Sequence, residues 1–184
     1  MKTLVIVAHP NLEASHWNQA WVEELKKNGD ITIHELYKEY PSENIDVRRE
    51  QQLVEAHDRI IFQYPLYWYS MPPLLKKWFD AVLQYNWAYG PEATATTGKE
   101  IGVAISTYGT TESYLPTGSN RFTLDQILAP IQASARFISA VYLPHFTVND
   151  TSDVTPERLA QSSKAYVEHV KTVKPAAPVA QVSL

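Results

Sequence analysis

Short apolar runs alternate with amphipathic stretches along most of this chain. Residues 4–8 (LVIVA) form a continuous apolar run, the pattern of a strand that is buried on both faces of a sheet. Apolar or alternating runs predict the other strands over residues 31–36, 58–64, 101–106 and 138–143. The chain therefore contains five predicted strands, and each pair is separated by a segment long enough for a crossover helix.

The intervening segments predict the helices. In residues 16–27, Trp17, Trp21 and Leu25 recur at helical spacing, and Asn28-Gly29 ends the helix. Residues 46–56 predict a charged, exposed helix. Further helices are predicted over residues 74–83, which Pro72-Pro73 opens, over 122–137, which Pro130 should kink or offset, and from the N-cap Thr155 and Pro156 onward.

Strands that alternate with helices predict an α/β fold with a doubly wound, five-stranded parallel sheet and helices on both faces. The right-handed crossover rule leaves few topologies, and the order 2-1-3-4-5 suits a chain of this length. Open sheets of this kind bind ligands at the carboxyl ends of their strands. The loops after the first, third and fourth strands are therefore the candidate binding loops.

Composition narrows the possible functions. A length of 184 residues with 45% hydrophobic residues fits one folded domain, which we expect over residues 1–173, followed by a flexible Pro- and Ala-rich tail at 174–184. The net charge of -4 argues against nucleic acid as a partner. The absence of Cys excludes disulfides, thiolate metal sites and a Cys nucleophile. No signal peptide or membrane-length apolar run is present, so we expect a cytoplasmic protein.

The first candidate loop joins the first strand to the first helix. A helix N-terminus presents free N–H groups and the positive end of a dipole, and both suit a phosphate. His9, Ser15 and Asn18 add side chains that can donate hydrogen bonds. The alternative is that Ser15 only caps the helix and His9 only ends the strand. No GxGxxG or Walker-A pattern is present.

The second and third loops carry flat rings and flexible backbone. Tyr67, Trp68 and Tyr69 follow the third strand, where aromatic rings can flank a planar cofactor. Burial in a subunit interface or in the core is the alternative for these rings. The fourth strand is followed by a polar loop in which Gly109 allows close approach of a ligand to the backbone. Together the loops suggest a site for a planar, phosphorylated cofactor.

Three segments give the chain a family resemblance: AHPNLEASHWN at 8–18, QYPLYWYSMPPLLKKWFDAVL at 63–83 and WAYGPEATATTGKEIGVAISTYG at 87–109. In order and spacing they resemble the NAD(P)H:quinone oxidoreductase family of flavodoxin-like flavoproteins. The similarity is greatest to short bacterial members, namely general-stress-type quinone reductases and the ancillary oxidoreductases of glutathione-gated potassium efflux systems. The resemblance implies a flavodoxin-like fold.

The resemblance also implies a role for each matching position. The flavin phosphate and ribityl chain would be surrounded by His9, Ser15, His16, Trp17 and Asn18. The isoalloxazine ring would be lined, partly by backbone N–H groups, by Pro65, Leu66, Tyr67, Trp68 and Tyr69. Its pyrimidine side would meet Ser106, Thr107, Tyr108 and Gly109, and the substrate would lie near Tyr114, the candidate catalytic residue.

Two positions depart from the family pattern. Tyr108 stands where the third loop of the family commonly has Gly, which could narrow the pocket or change substrate preference. Animal quinone reductases pair a Tyr with a His six residues later, and here Tyr114 is followed at that spacing by Asn120. A His-assisted charge relay is therefore in doubt.

The resemblance implies a two-electron reductase that takes a hydride from NAD(P)H through bound flavin and passes it to a quinone in a ping-pong order. FMN is expected rather than FAD, although FAD stays open. A homodimer is expected because Trp68, Tyr69 and residues 87–89 offer more apolar surface than one flavin would cover. The alternative function is that of a flavin-binding regulatory subunit, with a membrane potassium transporter as its partner.

Overall fold

The computed structural model of the chain describes residues 1–175. The expected tail at 174–184 therefore lies outside the described residues from position 176 onward. Within the described part, no helix combines the length and the apolar character needed to cross a membrane.

The described residues form a parallel sheet with strand order β2-β1-β3-β4-β5, as the sequence predicts. The strands are β1 (Thr3–Val7), β2 (Ile31–Glu35), β3 (Arg59–Pro65), β4 (Glu100–Ser106), β5 (Val141–Tyr142) and β6 (Phe146–Val148). The helices are α1 (His16–Lys26), α2 (Leu36–Glu39), α3 (Val47–Glu55), α4 (Pro73–Val82), α5 (Leu124–Ile127), α6 (Ala129–Phe137) and α7 (Pro156–Thr172).

Both faces of the sheet are covered, which explains why the central strands are apolar throughout. Successive side chains of a strand point to opposite faces. Leu4 and Ile6 of β1 therefore lie in the core that α3, α4 and α6 cover, whereas Val5 and Val7 lie in the core under α1 and α7. The same alternation places Phe62 of β3 in the first core and Ile61 in the second.

The prediction of one fifth strand over residues 138–143 is wrong in its extent. Ile138 instead ends α6 as its C-cap, and only β5, at residues 141–142, pairs with the start of β4. A sixth strand, β6, pairs with the end of β4, and the pairing register shifts by one residue between the two. Pro144 lies in the gap, where it has no N–H group to donate to the sheet.

The segment 122–137 is interrupted rather than being one helix. Thr123 caps α5 and forms a reciprocal capping box with Gln126, and the chain then turns at Leu128. Pro130 lies in the first turn of α6, where its missing N–H costs no helical hydrogen bond. The expected offset at Pro130 is confirmed.

Helix α3 is not exposed throughout, because the Glu50 side chain is fully buried. Its carboxylate accepts hydrogen bonds from the Tyr40 hydroxyl (2.6 Å) and from Trp78 Nε1 (2.7 Å). His34 Nε2 lies 2.9 Å from Glu50 Oε1, at ion-pair distance, although its direction does not suit a hydrogen bond. These four residues, the Glu50 cluster, join β2, α2, α3 and α4.

Candidate cofactor-binding site

Ser106, the last residue of β4, joins the three candidate loops. Asn18 Nδ2, in the first turn of α1, donates to Ser106 Oγ at 2.9 Å. The backbone N–H of Leu66, just after β3, donates to the carbonyl oxygen of Ser106 at 2.9 Å. The parallel ladder, in which Pro65 pairs with Ser106, brings these groups together. The structure therefore fixes the start of α1, the end of β3 and the end of β4 against one another.

Gln63 is a site-supporting residue that the sequence analysis missed. It is fully buried in β3, and its Nε2 donates to the carbonyl oxygen of Asn18 at 3.0 Å and lies 3.3 Å from Asn18 Oδ1. Its Oε1 accepts no hydrogen bond within residues 1–175. A single Gln inside the apolar run of residues 60–64 is the signal that could have revealed it, since buried amides need partners.

The N-terminus of α1 leaves two backbone donors without acceptors. Ser15 caps the helix, as predicted, by accepting a hydrogen bond from the N–H of Asn18 at 3.2 Å. The N–H groups of His16 and Trp17 donate to no acceptor within residues 1–175. The His16 side chain is exposed. This end of α1 therefore offers two N–H groups and a positive dipole end to an anion.

The Trp17 ring itself is committed elsewhere. It is buried in the core under α1 and α7, and its Nε1 donates to the carbonyl oxygen of Thr151 at 3.0 Å. Arg158 of α7 packs over the ring, with its Cζ 5.1 Å from the ring centroid. Of the two groups that Trp17 offers, only its backbone N–H is therefore available to a ligand.

His9 is half-buried at the end of β1. Its Nδ1 accepts a hydrogen bond from the N–H of Asn11 at 3.1 Å. Burial lowers the pKa of the imidazole below its ordinary value. A neutral ring whose Nδ1 is an acceptor carries its proton on Nε2, so His9 can donate one hydrogen bond from that atom.

The residues after β3 form a tight turn that is unusual for its residue types. Tyr67 and Ser70 exchange two backbone hydrogen bonds of 2.9 Å each, and the two residues between them, Trp68 and Tyr69, both have positive φ (47° and 60°). Such turns favour Asn-Gly, because bulky residues are strained in this region. We call residues 67–70 the aromatic turn. The N–H groups of Trp68 and Tyr69 have no acceptor within residues 1–175, and the Trp68 side chain is 94% exposed.

The third loop is held in place by β6. The N–H of Thr107 donates to the carbonyl oxygen of Val148 at 2.9 Å, and the Thr107 hydroxyl lies 2.9 Å from Asn149 Oδ1. Tyr114 packs so closely on Gly109 that a Cβ there would lie 3.0 Å from the Tyr114 ring. Tyr108 projects outward and is 81% exposed.

The aromatic turn and the third loop face each other across an open cleft of about 550 Å³. Its lining residues are Leu66, Trp68, Tyr69, Tyr108, Gly109, Ser113, Tyr114, Ser119 and Asn120. Of the predicted residues of the second and third loops, the cleft brings together Leu66, Trp68, Tyr69, Tyr108, Gly109 and Tyr114. Tyr67 is exposed but does not line the cleft, and Pro65, Ser106 and Thr107 are buried. Tyr69 Oη donates to Asn120 Oδ1 at 3.1 Å across the cleft, a partnership that the sequence analysis missed.

The donor set fits a planar, phosphorylated cofactor. The free N–H groups of α1 suit a phosphate, and the rings and free N–H groups of the aromatic turn suit the face and edge of a flat heterocycle. Within residues 1–175, no group of three or more His, Asp or Glu side chains is arranged to hold a metal ion.

The sequence is similar to known proteins over most of its length. Residues 1–170 match a family model described as a flavodoxin-like fold. General stress protein 14 of Bacillus subtilis is 47% identical over 93% of this chain and 98% of its own length. YdeQ of Bacillus subtilis, named as an uncharacterized NAD(P)H oxidoreductase, is 44% identical over 95% of this chain and 88% of its own. The potassium-efflux ancillary protein KefF of Salmonella arizonae is 36% identical over 91% of this chain and 94% of its own length.

Solved structures are similar over the same extent. General stress protein 14 of Treponema denticola, in complex with FMN, superposes with a TM-score of 0.89 at 37% identity and covers 92% of this chain and 98% of its own. A structure described as a thermophilic tryptophan halogenase from Streptomycin violaceusniger superposes with a TM-score of 0.90 at 48% identity and covers 92% of this chain and 98% of its own. An NADPH-quinone reductase from P. pentosaceus superposes with a TM-score of 0.86 at 32% identity and covers 95% of this chain and 100% of its own. The chain therefore belongs to the flavodoxin-like family that includes these NAD(P)H oxidoreductases and quinone reductases, as its sequence resemblance predicted.

Proposed function

We propose that the chain is a flavin-dependent NAD(P)H oxidoreductase that passes two electrons to quinones or similar acceptors. The observation that carries this proposal is the cleft between the aromatic turn and the third loop, which hydrogen bonds through Ser106 connect to the first turn of α1. FMN is the proposed cofactor, because the similar protein from Treponema denticola binds it. Bound FMN would supply the redox chemistry, taking a hydride from NAD(P)H and returning two electrons to the acceptor.

The residues of the chain would bind and orient the cofactor. The N–H groups of His16 and Trp17 and the Nε2 of His9 would donate to the phosphate. The N–H groups of Trp68 and Tyr69 would donate to the polar edge of the isoalloxazine, where donors stabilise added negative charge. The N–H groups of Tyr108 and Gly109, which donate to no acceptor within residues 1–175, would meet its pyrimidine side.

A ping-pong order is part of the proposal, as the family resemblance implies. The isoalloxazine would occupy part of the cleft, and both NAD(P)H and the acceptor would have to reach it through the same opening. NAD(P)H would therefore have to leave before the acceptor enters. Tyr114 is the proposed substrate-side residue, because it lines the cleft and its hydroxyl makes no hydrogen bond within residues 1–175.

A homodimer in the cytoplasm completes the proposal. Trp68 and Tyr69 leave large apolar surfaces in water, and a second copy that covered them would also close the cleft. Sedimentation at micromolar protein concentration would reveal a particle of twice the chain mass. A monomer that still binds FMN would remove the dimer from the proposal and leave the rest unchanged.

The test of the activity is an anaerobic spectrum of the purified protein with FMN, before and after addition of NADPH or NADH. We expect bound-flavin absorption that bleaches with the nucleotide and returns on addition of a quinone, with parallel lines in double-reciprocal kinetics. Failure to bind either FMN or FAD would overturn the cofactor assignment. Intersecting lines would overturn the ping-pong order alone.

The similarity to KefF favours one other candidate, a flavin-binding regulatory subunit of a membrane potassium efflux system. This function would give flavin that binds but bleaches slowly, and a chain that co-purifies with a transporter. Rapid turnover with quinones by the isolated chain would favour the enzyme. No observation on the described residues favours halogenation, the activity named for one structural neighbour.

A further inference from the structure

The Tyr69–Asn120 hydrogen bond is the one side-chain bond between the aromatic turn and the third loop among the described residues. Tyr69 Oη lies 3.1 Å from Asn120 Oδ1, and both residues line the cleft. The bond therefore spans the opening through which an acceptor would enter.

Both partners are held by rigid backbone. Tyr69 is the second positive-φ residue of the aromatic turn, whose two backbone hydrogen bonds fix its direction. On the other wall, the N–H of Asn120 donates to the carbonyl oxygen of Ser113 at 3.1 Å. Gly118 packs so tightly against this segment that a Cβ there would lie 2.0 Å from the Glu112 carbonyl oxygen. Asn120 is thus presented from a compact, closed loop.

The hydrogen bond also determines what Asn120 can offer. Because the Tyr69 hydroxyl donates to Oδ1, the amide is oriented with its Nδ2 away from Tyr69. Nδ2 makes no hydrogen bond within residues 1–175. An amide has no charge to gain or lose near neutral pH, so this donor is present over the whole physiological range.

We propose that Asn120 donates through Nδ2 to a carbonyl oxygen of the acceptor, with Tyr69 as the positioning residue that sets the amide's orientation. The pair then selects acceptors that carry a hydrogen-bond-accepting oxygen over acceptors that do not. This inference rests on the proposed function and specifies the acceptor class for the same cleft.

The test compares duroquinone, which has carbonyl oxygens, with ferricyanide, which has none. Asn120→Leu removes the donor at similar size, and Tyr69→Phe removes only the positioning bond. Thr117→Ala, at an exposed position of the same loop, is the control.

The first readout is the dissociation constant of duroquinone for the oxidised, FMN-loaded protein, measured without reductant from the flavin spectrum. The second is the rate at which each acceptor reoxidises the reduced protein.

We expect Asn120→Leu to weaken duroquinone binding and slow its reaction by roughly 3- to 10-fold, the value of one neutral hydrogen bond. Tyr69→Phe should have a smaller effect, and the double variant should be no worse than Asn120→Leu, because Tyr69 acts through Asn120. Ferricyanide rates should fall less than duroquinone rates, because ferricyanide has no carbonyl oxygen to accept from Nδ2. Equal loss with both acceptors, or unchanged duroquinone binding in Asn120→Leu, would overturn the inference while leaving the oxidoreductase in place. A wild-type protein that NAD(P)H does not bleach would instead overturn the proposed function, and the inference with it.

Discussion

The Glu50 cluster and the cofactor cleft are both polar regions, but their hydrogen bonds are completed in different ways. In the cluster, both carboxylate oxygens of Glu50 accept hydrogen bonds from buried side chains of the same chain. Around the cleft, six backbone N–H groups and the buried Gln63 Oε1 have no partner within residues 1–175; the six belong to His16, Trp17, Trp68, Tyr69, Tyr108 and Gly109. In the cluster, the unpaired His34 Nε2 lies at ion-pair distance from Glu50, whereas the N–H groups around the cleft suit a ligand that accepts hydrogen bonds. The cluster therefore stabilises the fold, whereas the cleft is suited to binding a cofactor.

The titration of the cluster agrees with a structural role. Burial alone would raise the pKa of the Glu50 carboxyl, but contacts from His34, Tyr40 and Trp78 outweigh burial and hold the pKa below its usual value. Burial, together with the hydrogen bond to Glu50, raises the pKa of Tyr40 well above its usual value. At neutral pH the cluster therefore holds a charged acceptor and a protonated donor.

The largest expected effect follows from removing the cluster's acceptor. Glu50→Ala leaves the Tyr40 hydroxyl and the Trp78 indole N–H buried without partners, and we expect a loss of about 3–5 kcal/mol in the free energy of unfolding. Urea unfolding of the FMN-free protein measures this loss. The exposed Gln52→Ala, on the same helix, is the control and should change stability by less than about 0.5 kcal/mol.

If Glu50→Ala were no less stable than Gln52→Ala, the cluster would not be a stabilising element and the contrast with the cleft would fail. If Glu50→Ala folded but bound FMN more weakly, the cluster would also serve the cofactor site. This result would contradict the separation of the two regions.

The next effect tests a backbone donor at the cleft. Pro is tolerated at the first position of a helix, and the extended backbone of Ser15 (φ -94°, ψ 107°) suits a residue that precedes Pro. His16→Pro should therefore keep α1 and remove one free N–H. We expect FMN affinity to fall roughly 10- to 100-fold, the value of a hydrogen bond to a charged group, with stability nearly unchanged.

His16→Ala is the matched control, because it removes the exposed imidazole and keeps the N–H. Fluorescence titration with FMN measures both variants. Equal affinities for His16→Pro and His16→Ala would mean that this N–H group does not bind the phosphate.

The third prediction concerns the strain in the aromatic turn. Replacing Trp68-Tyr69 by Asn-Gly suits the positive φ values, so we expect the FMN-free protein to gain roughly 1–2 kcal/mol in stability. The turn keeps its N–H groups but loses its rings, so FMN affinity should fall. Thermal unfolding and FMN titration measure the two changes. A variant that is less stable without FMN would show that the rings contribute more packing than their backbone costs.

The sheet order and the three loops could be predicted because their signals are local. Residues 4–8 are apolar since β1 is buried on both faces, and this pattern does not depend on the rest of the chain. The run at 138–143 gave a wrong strand because its apolar residues serve different elements. Ile138 ends α6 and Leu143 fills the core, and only two residues between them pair with β4.

The partners within the site could not be predicted because they are remote in sequence. Gln63 of β3 meets Asn18 of α1, and Tyr69 meets Asn120 across the cleft. Glu50 stands among charged neighbours on α3, and its hydrogen bonds come from Tyr40, which follows α2, and from Trp78 of α4. The roles assigned to the loop residues toward a flavin stay predictions that the variants above address.

The smallest expected effect is the pH dependence that Glu50 adds to stability. Its pKa in the folded chain is lower than the ordinary value of 4.5, so the unfolded chain binds a proton at Glu50 more readily than the folded chain. The stability that this group contributes is therefore complete above that ordinary value and is lost as the pH falls through the folded pKa. Glu50→Gln cannot titrate, so its free energy of unfolding should fall less steeply between pH 6 and about pH 3 than that of the wild type. Urea unfolding over this range measures both slopes, and equal slopes would mean that Glu50 is not held ionised by its neighbours, which would leave the cluster as a set of neutral hydrogen bonds.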